Sequence, residues 1–325
     1  MEKYTQFRDK GSGIAPFMPI RSEISIPQML LHVIVFLIRL PIFGVLCFNY
    51  FTWLQFIPMP LVLHKIFRWN ILIMAGIFFV DIQVDGVKRG SLSSLPKSRI
   101  PHPRSVIASN FTSPIDAMYM AAIFDPIFVQ SYPGTRKVRK ISLAEACMLA
   151  LRPVDMGPPD SSHSTSITSL LKENPDRIIA VFPECTTTNG RAVLPLSYSL
   201  LGVPPTIDIF PLSIRYTLPD VTTPVPERTI RFFWDILSRP STYLRVRLAD
   251  ALHCKRNTRV ESLSDSGDDE HSDGVSQNEL KEHVSGIENK FLDSVADTLA
   301  RLGRNKRVGL TLQDKAAFTR AWHGK

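Results

Sequence analysis

The chain has 325 residues, a net charge of +8 and a hydrophobic fraction of 44%, which suits one large domain with appendages or two small ones. Its four cysteines, Cys47, Cys147, Cys185 and Cys254, show neither the paired spacing of a zinc site nor a disulfide framework, so those scaffolds are excluded and a reducing compartment fits. No nucleic-acid motif accompanies the positive charge; clusters such as Arg136–Lys140 and Arg301–Arg307 suit an anionic membrane surface instead.

Residues 1–25 are polar, with Gly11, Gly13, Pro16 and Pro19 as breakers, and read as irregular. From Ile26 to Leu63 the one full charge is Arg39. As continuous helix this run would reach roughly 57 Å, against a hydrocarbon core of about 30 Å. Pro41 and Gly44 near its middle, and Pro58 and Pro60 near its end, point to a bent or hairpin membrane segment. The alternative, a pair of core helices, fits poorly, because soluble helices rarely lack a polar face for so long. A cleavable signal peptide also fits poorly, since the run starts late and is too long.

Ile71 to Val80 is apolar and leads into Asp81–Gly86, whose alternation predicts a strand ending in a turn. Val106–Ser109 is a short candidate strand. Behind it, Ser113 as N-cap, Pro114 as first helical residue and Asp116 three positions after the cap predict a helix start. Ser142 to Glu145 repeat the pattern. Ile178–Phe182 and Ile207–Tyr216 read as strands. Strands alternating with capped helices predict an α/β domain over residues 64–256.

Residues 257–279 are acidic and serine-rich, from Ser262 to Asp273, and by composition form a disordered loop. The last stretch, 280–325, reads as helices. Leu280, Val284, Ile287, Phe291, Val295 and Leu299 make one apolar face, and Gly303 suits a C-cap. A final helix starts at Thr311, capped by Asp314, with Phe318 and Trp322 expected to dock on the domain.

Two blocks carry chemistry. Asn110, Phe111, Thr112, Ser113, Pro114, Ile115 and Asp116 follow one buried strand; Phe182, Pro183, Glu184, Cys185 and Thr186 follow another. A carboxylate behind an apolar strand and a proline is costly unless partnered, so Glu184 calls for an arginine or a donor network nearby. Asp116 alone could be a mere helix cap.

Together the blocks resemble the two signature blocks of the PlsC-type glycerolipid acyltransferases. The opening Met1–Lys10 and Gly13–Phe17 resemble one fungal branch, the membrane-bound lysophosphatidic acid:oleoyl-CoA acyltransferases. The resemblance implies a glycerolipid-acyltransferase-like central sheet flanked by helices, behind an N-terminal hydrophobic membrane segment. It implies Asp116 and Glu184 as catalytic residues. Asn110, Thr112, Ser113, Phe182, Pro183, Cys185 and Thr186 would line the substrate site. Arg152 is a positional candidate for the family's arginine, and Arg191 or the 136–140 cluster could supply charge for a phosphate. The resemblance also implies acyl-CoA as co-substrate with no bound cofactor or metal, and a lysophospholipid, most readily lysophosphatidic acid, as acceptor. Membrane lipids would be partners and nucleic acid would not. The domain would face the cytosol on the endoplasmic reticulum, and a hairpin anchor would also permit residence on a lipid droplet.

Three positions depart from the family. Phe111 stands where it has a histidine as base, five residues before the aspartate. Cys185 stands at a glycine position, and the glycine-and-arginine block between the motifs has no clear counterpart. Acyl transfer to an alcohol needs the alcohol's proton removed, the oxyanion stabilised and the acceptor held. Asp116 itself, a mobile His102 or His163, or a covalent Cys185 could fill the gap. The rival from another class is a pseudoenzyme that binds lipid or acyl-CoA in membrane organisation.

Overall fold

The structure is a computed structural model that describes residues 2–87, 96–157, 164–254 and 277–324. Helix α1, Ile26–Asn49, begins where Gln28 accepts the Ser25 N–H at 3.1 Å, and it ends in a wider π-helical turn over Tyr50–Leu54. Contrary to expectation, Pro41 and Gly44 lie inside α1 and do not break it. The break falls at 55–60, before α2, Leu61–Met74. A lone proline removes one helical hydrogen bond, whereas Pro58 and Pro60 together also hold their predecessors in extended backbone. Because α2 runs to Met74, the boundary drawn at 63/64 falls within a helix.

Ile26–Leu54 forms a 29-residue apolar stretch, by length and composition able to cross a membrane. Leu30, Ile34, Leu37 and Val45 are exposed along it. Arg39 turns toward the domain and donates to the carbonyls of Arg239 at 2.5 Å and Pro240 at 2.8 Å. Its charge is thereby removed from the apolar exterior.

Eight strands form the main sheet: β1 Phe79–Val84, β2 Val106–Ser109, β3 Ile127–Ser131, β4 Val138–Ile141, β5 Ser164–Thr165, β6 Ile179–Val181, β8 Ile209–Tyr216 and β9 Tyr243–Leu248. Their order is β1-β9-β8-β2-β6-β3-β4-β5. The central strands β8, β2, β6 and β3 are parallel, and β9 runs against β8. β7, Ala192–Val193, and β10, Lys306–Arg307, make a separate parallel pair.

The two-residue period sorts the central strands cleanly. Ile107, Ala180, Phe210, Leu212, Ile214 and Leu244 face one core, shared with α1, α2, α3 (Pro114–Ile123), α4 (Leu143–Leu149) and α6 (Thr229–Leu237). Val106, Ala108, Ile179, Val181 and Ile209 face a second core, shared with α5 (Ile167–Glu173) and α7 (Gln277–Gly303). Strands buried on both faces read as continuous apolar runs, as parallel sheets require. The apolar face expected on α7 is buried at Val295 and Leu299, while the Leu280 and Val284 side chains lie outside the described set.

Three expectations about the ends need restating. Residues 8–25 are irregular as expected but packed: Glu2–Phe7 form a 3₁₀ helix, and Phe7 and Phe17 are buried with Phe318 of α8, Leu312–His323. Nonpolar anchors spaced through a polar stretch were enough to fix it. The left-handed residue ending α7 is Arg304 (φ 52°), one position past the Gly303 expected to cap it. The acidic stretch 257–276 and His163 lie outside the described residues.

Candidate active site

Both blocks emerge from the C-terminal ends of adjacent parallel strands, β2 and β6, where the crevice of an open α/β sheet forms. Ser113 caps α3 with extended backbone, and Asp116 completes the capping box, as its spacing predicts. The Asp116 carboxylate is fully buried. Its Oδ2 accepts from the Thr112 N–H at 2.7 Å, the Thr112 hydroxyl at 2.9 Å and the Ser113 N–H at 2.9 Å. Its Oδ1 accepts from the Tyr216 hydroxyl, at the end of β8, at 2.5 Å. Burial pushes this carboxyl up to about 6, and the Tyr216, Thr112 and Ser113 donors hold it from rising further.

Glu184, also fully buried, is treated differently. Its Oε2 accepts from the Leu194 N–H at 3.1 Å, while Oε1 has no hydrogen-bond partner. Burial pushes it up to about 8, opposed by the Leu194 and Phe111 backbone N–H groups and by the charge of Lys315. Of the arginine or donor network expected near Glu184, no arginine is among its described contacts; backbone N–H groups and the charge of Lys315, from the C-terminal helix, act on it instead. Lys315 Nζ donates to the Thr186 hydroxyl at 2.8 Å, the Thr187 carbonyl at 2.5 Å and the Thr187 hydroxyl at 3.0 Å. Burial pulls Lys315 down to about 7, against the charge of Glu184. Nothing in the local sequence announces this contact. A lone lysine beside Phe318 in an amphipathic helix reads as surface.

Phe111 stacks on Phe182 with ring centroids 4.2 Å apart, both rings buried. The two blocks are thus joined by an aromatic pair. The Phe111 carbonyl accepts from Thr188 at 3.0 Å. Asn110 is turned inward: its side chain donates to the Ile214 carbonyl at 2.9 Å and accepts from the Ile214 N–H at 2.8 Å. It latches β8 to the first block, with both its amide nitrogen and its amide oxygen engaged on Ile214. Pro183 accepts from Ser197 at 2.8 Å, and the Thr112 carbonyl accepts from Thr223 at 2.8 Å.

Cys185 has a left-handed backbone, φ 56°, the conformation glycine adopts without strain. Its thiol is pushed up to about 12, chiefly by burial. A group held so firmly as the thiol makes a poor nucleophile, because the thiolate attacks. His102 sits before β2, with Nε2 3.5 Å from Asp208 just ahead of β8. That is the opposite end of the strands from Asp116, so His102 cannot serve as its proton acceptor. Arg191 and Arg152 are both exposed. Arg191 follows Gly190, which lies against Thr112, and so stands at the rim of the site. Arg152 follows Leu151, part of an apolar cavity wall. In the 136–140 cluster, Arg136 pairs with Glu288 at 2.7 Å and Arg139 donates to Gln130, away from both blocks.

That cavity has a volume of about 400 Å³ and an apolar lining. It runs between α1, α2, α4 and α6 and ends on Pro114 and Ile115, in the first turn of α3. Among the described residues no three His, Cys, Asp or Glu side chains are grouped to hold a metal ion.

A buried Asp on a strand-to-helix turn, a buried Glu just past the adjacent strand and an apolar cavity reaching the first turn of α3 thus lie at one end of the sheet. No protein-family model matches the chain. It is 24% identical, over 98% of its length and 97% of the relative's, to a Schizosaccharomyces pombe protein provisionally named lysophosphatidic acid:oleoyl-CoA acyltransferase. It is 28% identical over 61% of each chain to the Saccharomyces cerevisiae lysophosphatidic acid:oleoyl-CoA acyltransferase 1. A crystal structure of the Thermotoga maritima 1-acyl-sn-glycerophosphate acyltransferase PlsC aligns with 83% of this chain and 97% of its own, at 15% identity and a TM-score of 0.33, a likeness too distant to bear on the argument. The near full-length similarity to the first of these fungal proteins supports the resemblance to the PlsC-type glycerolipid acyltransferases.

Proposed function

We propose that the protein transfers a fatty acyl chain from acyl-CoA to lysophosphatidic acid, giving phosphatidic acid. The observation that carries this reading is the apolar cavity lined by Pro114 and Ile115, the two residues that immediately precede Asp116. A chain of methylene groups gains about 0.8 kcal/mol for each one buried there. The cavity also touches α1 through Leu40, Phe43 and Cys47, so a chain could enter from the bilayer. The similarity to the two fungal proteins supports the choice of acceptor and donor.

Of the two buried carboxyls, Asp116, held at about 6, is mostly ionised at neutral pH, and Glu184, held at about 8, is mostly protonated. Asp116 is therefore the base that takes the acceptor's proton, in the absence of a histidine at position 111. Glu184 is the acid whose free Oε1 can donate to an oxygen of the substrate. Arg191 at the rim is placed to meet the acceptor's phosphate. The membrane anchor would hold the site at a cytosolic surface where acyl-CoA is present. We place it at the endoplasmic reticulum, with a droplet monolayer also open to a hairpin anchor.

The test is acyl transfer by the full-length protein in microsomes or detergent, across a panel of lysophospholipids. Transfer is expected with lysophosphatidic acid and acyl-CoA. Absence of transfer with every acceptor, from folded protein, would remove the enzyme reading and leave the lipid-binding one.

A further inference from the structure

On the sheet face opposite the active site, the β1–β9 edge carries a second concavity of about 790 Å³. Three ladder rows share one face, Phe79 beside Tyr243, Asp81 beside Arg245, and Gln83 beside Arg247, and the last two line the concavity. The C-terminal end of α7 closes it with Arg301 and Arg304. The lining thus presents four guanidinium groups against two carboxylates, Asp81 and Asp85. Arg215 extends the second row, opposite Arg245 on β8.

Arg245 pairs with Asp81 at 3.2 Å and Arg301 with Asp85 at 2.5 Å, which leaves Arg247 and Arg304 in excess over the two carboxylates of the lining. Arg247 donates to the Gln83 side chain at 3.1 Å and the Leu302 carbonyl at 2.8 Å, and Arg215 donates to the Gly303 carbonyl at 3.3 Å. These neutral acceptors fix the side chains and leave their charge in place. Burial and the like charges of Arg304, Arg245 and Arg215 all depress Arg247. Such mutual repulsion is relieved by an anion.

Arg304 adds an independent observation. It is the left-handed residue of the turn that ends α7, where its N–H donates to the Arg301 carbonyl at 3.2 Å and the Asn305 N–H to the Ala300 carbonyl at 2.8 Å. That hydrogen-bond pattern strongly favours glycine at this position. A long cationic side chain held there at a backbone cost is better explained by what the side chain does than by the turn.

We propose that this groove is a phosphate-binding site, separate from the acyl-transfer site and taking a ligand of nucleotide or lipid-headgroup size. Planar guanidinium forks suit phosphate oxygens two at a time. The volume fits more than a bare ion. Beyond the lining, the next ladder row on the same face is the half-exposed Phe79–Tyr243 stack, centroids 5.2 Å apart, which can meet a base or the membrane interface.

The experiment uses the full-length protein in nanodiscs of neutral lipid. Adenosine 3′,5′-bisphosphate and pyrophosphate are titrated as soluble probes, and flotation with phosphatidylcholine vesicles, with and without phosphatidic acid, tests the headgroup. Variants are Arg304→Gly, which suits the left-handed turn and should keep or raise the melting temperature, and Arg245→Gln with Arg304→Gly. Salt-sensitive binding of at least one phosphate probe is expected, weakened about tenfold or more in the double variant. Loss confined to the soluble probes identifies a nucleotide phosphate, and loss confined to phosphatidic acid vesicles identifies a headgroup. Binding that is absent in the wild type, or unchanged in folded double variant for every probe, overturns the proposal.

Discussion

The two signature blocks leave neighbouring strands yet hold their carboxyls in opposite ways. Asp116 gathers four donors, three of them from Thr112 and Ser113 within four residues. Glu184 accepts a hydrogen bond from Leu194 ten residues on, feels the Phe111 N–H more weakly and keeps Oε1 unbonded, with a lysine from the far end of the chain adding its charge. The first block is a closed, locally built turn. The second is an open one that long-range packing completes. Donors lower a buried acid's proton affinity and their absence raises it, so the same burial yields an ionised Asp116 beside a protonated Glu184.

The sharpest way to break this contrast is Asp116→Ala. It strips all four donors of their acceptor, and a loss of about 3 kcal/mol or more is expected by thermal unfolding. Acyl transfer should fall by about a hundredfold or more. Asp116→Asn separates the two effects, since it keeps an acceptor oxygen and removes the base. Next in size, Lys315→Met leaves the Thr186 and Thr187 oxygens without their buried donor, for a loss of about 2–3 kcal/mol. It should also raise the Glu184 pKa further, because the Lys315 charge lowers it.

Tyr216→Phe removes one donor from Asp116 and should cost about 1 kcal/mol. The Asp116 carboxyl should move upward, and with it the acidic limb of the rate profile, which in the wild type is expected near pH 6. The sign follows from linkage. Both carboxyls are raised above their unfolded values, so the native state binds protons more tightly. The stability this gives is full below the ordinary carboxyl values of 3.8 and 4.5, and is lost as pH rises through about 6 for Asp116 and about 8 for Glu184. Smallest of all, Cys185→Gly should relax a left-handed backbone at little cost to activity, with stability changed by about 1 kcal/mol or less. Loss of most activity in Cys185→Gly or Cys185→Ser would restore the covalent-thiol reading.

The same contrast explains what was legible in the chain. Ser113, Pro114 and Asp116 announce the α3 start because a capping box closes within four residues; Ser142–Glu145 and Thr311–Asp314 do the same for α4 and α8. The strands β2, β6 and β8 show as apolar runs because both faces are buried. Their order in the sheet does not show, since it depends on crossovers. Lys315 over Thr187, Tyr216 on Asp116 and the inward latch of Asn110 on Ile214 join residues about a hundred or more apart, and no local pattern encodes them. Pro41 misled for the converse reason: its local signal was real, and the surrounding apolar helix carried it.

The central claim is that Asp116 takes the proton with no histidine before it. The direct measurement is the initial rate of acyl transfer from acyl-CoA to lysophosphatidic acid against pH, for wild type and a folded Asp116→Asn. The wild type should transfer, with a limb rising through about pH 6, and Asp116→Asn should not rise above background. Equal rates and profiles for the two proteins would contradict it.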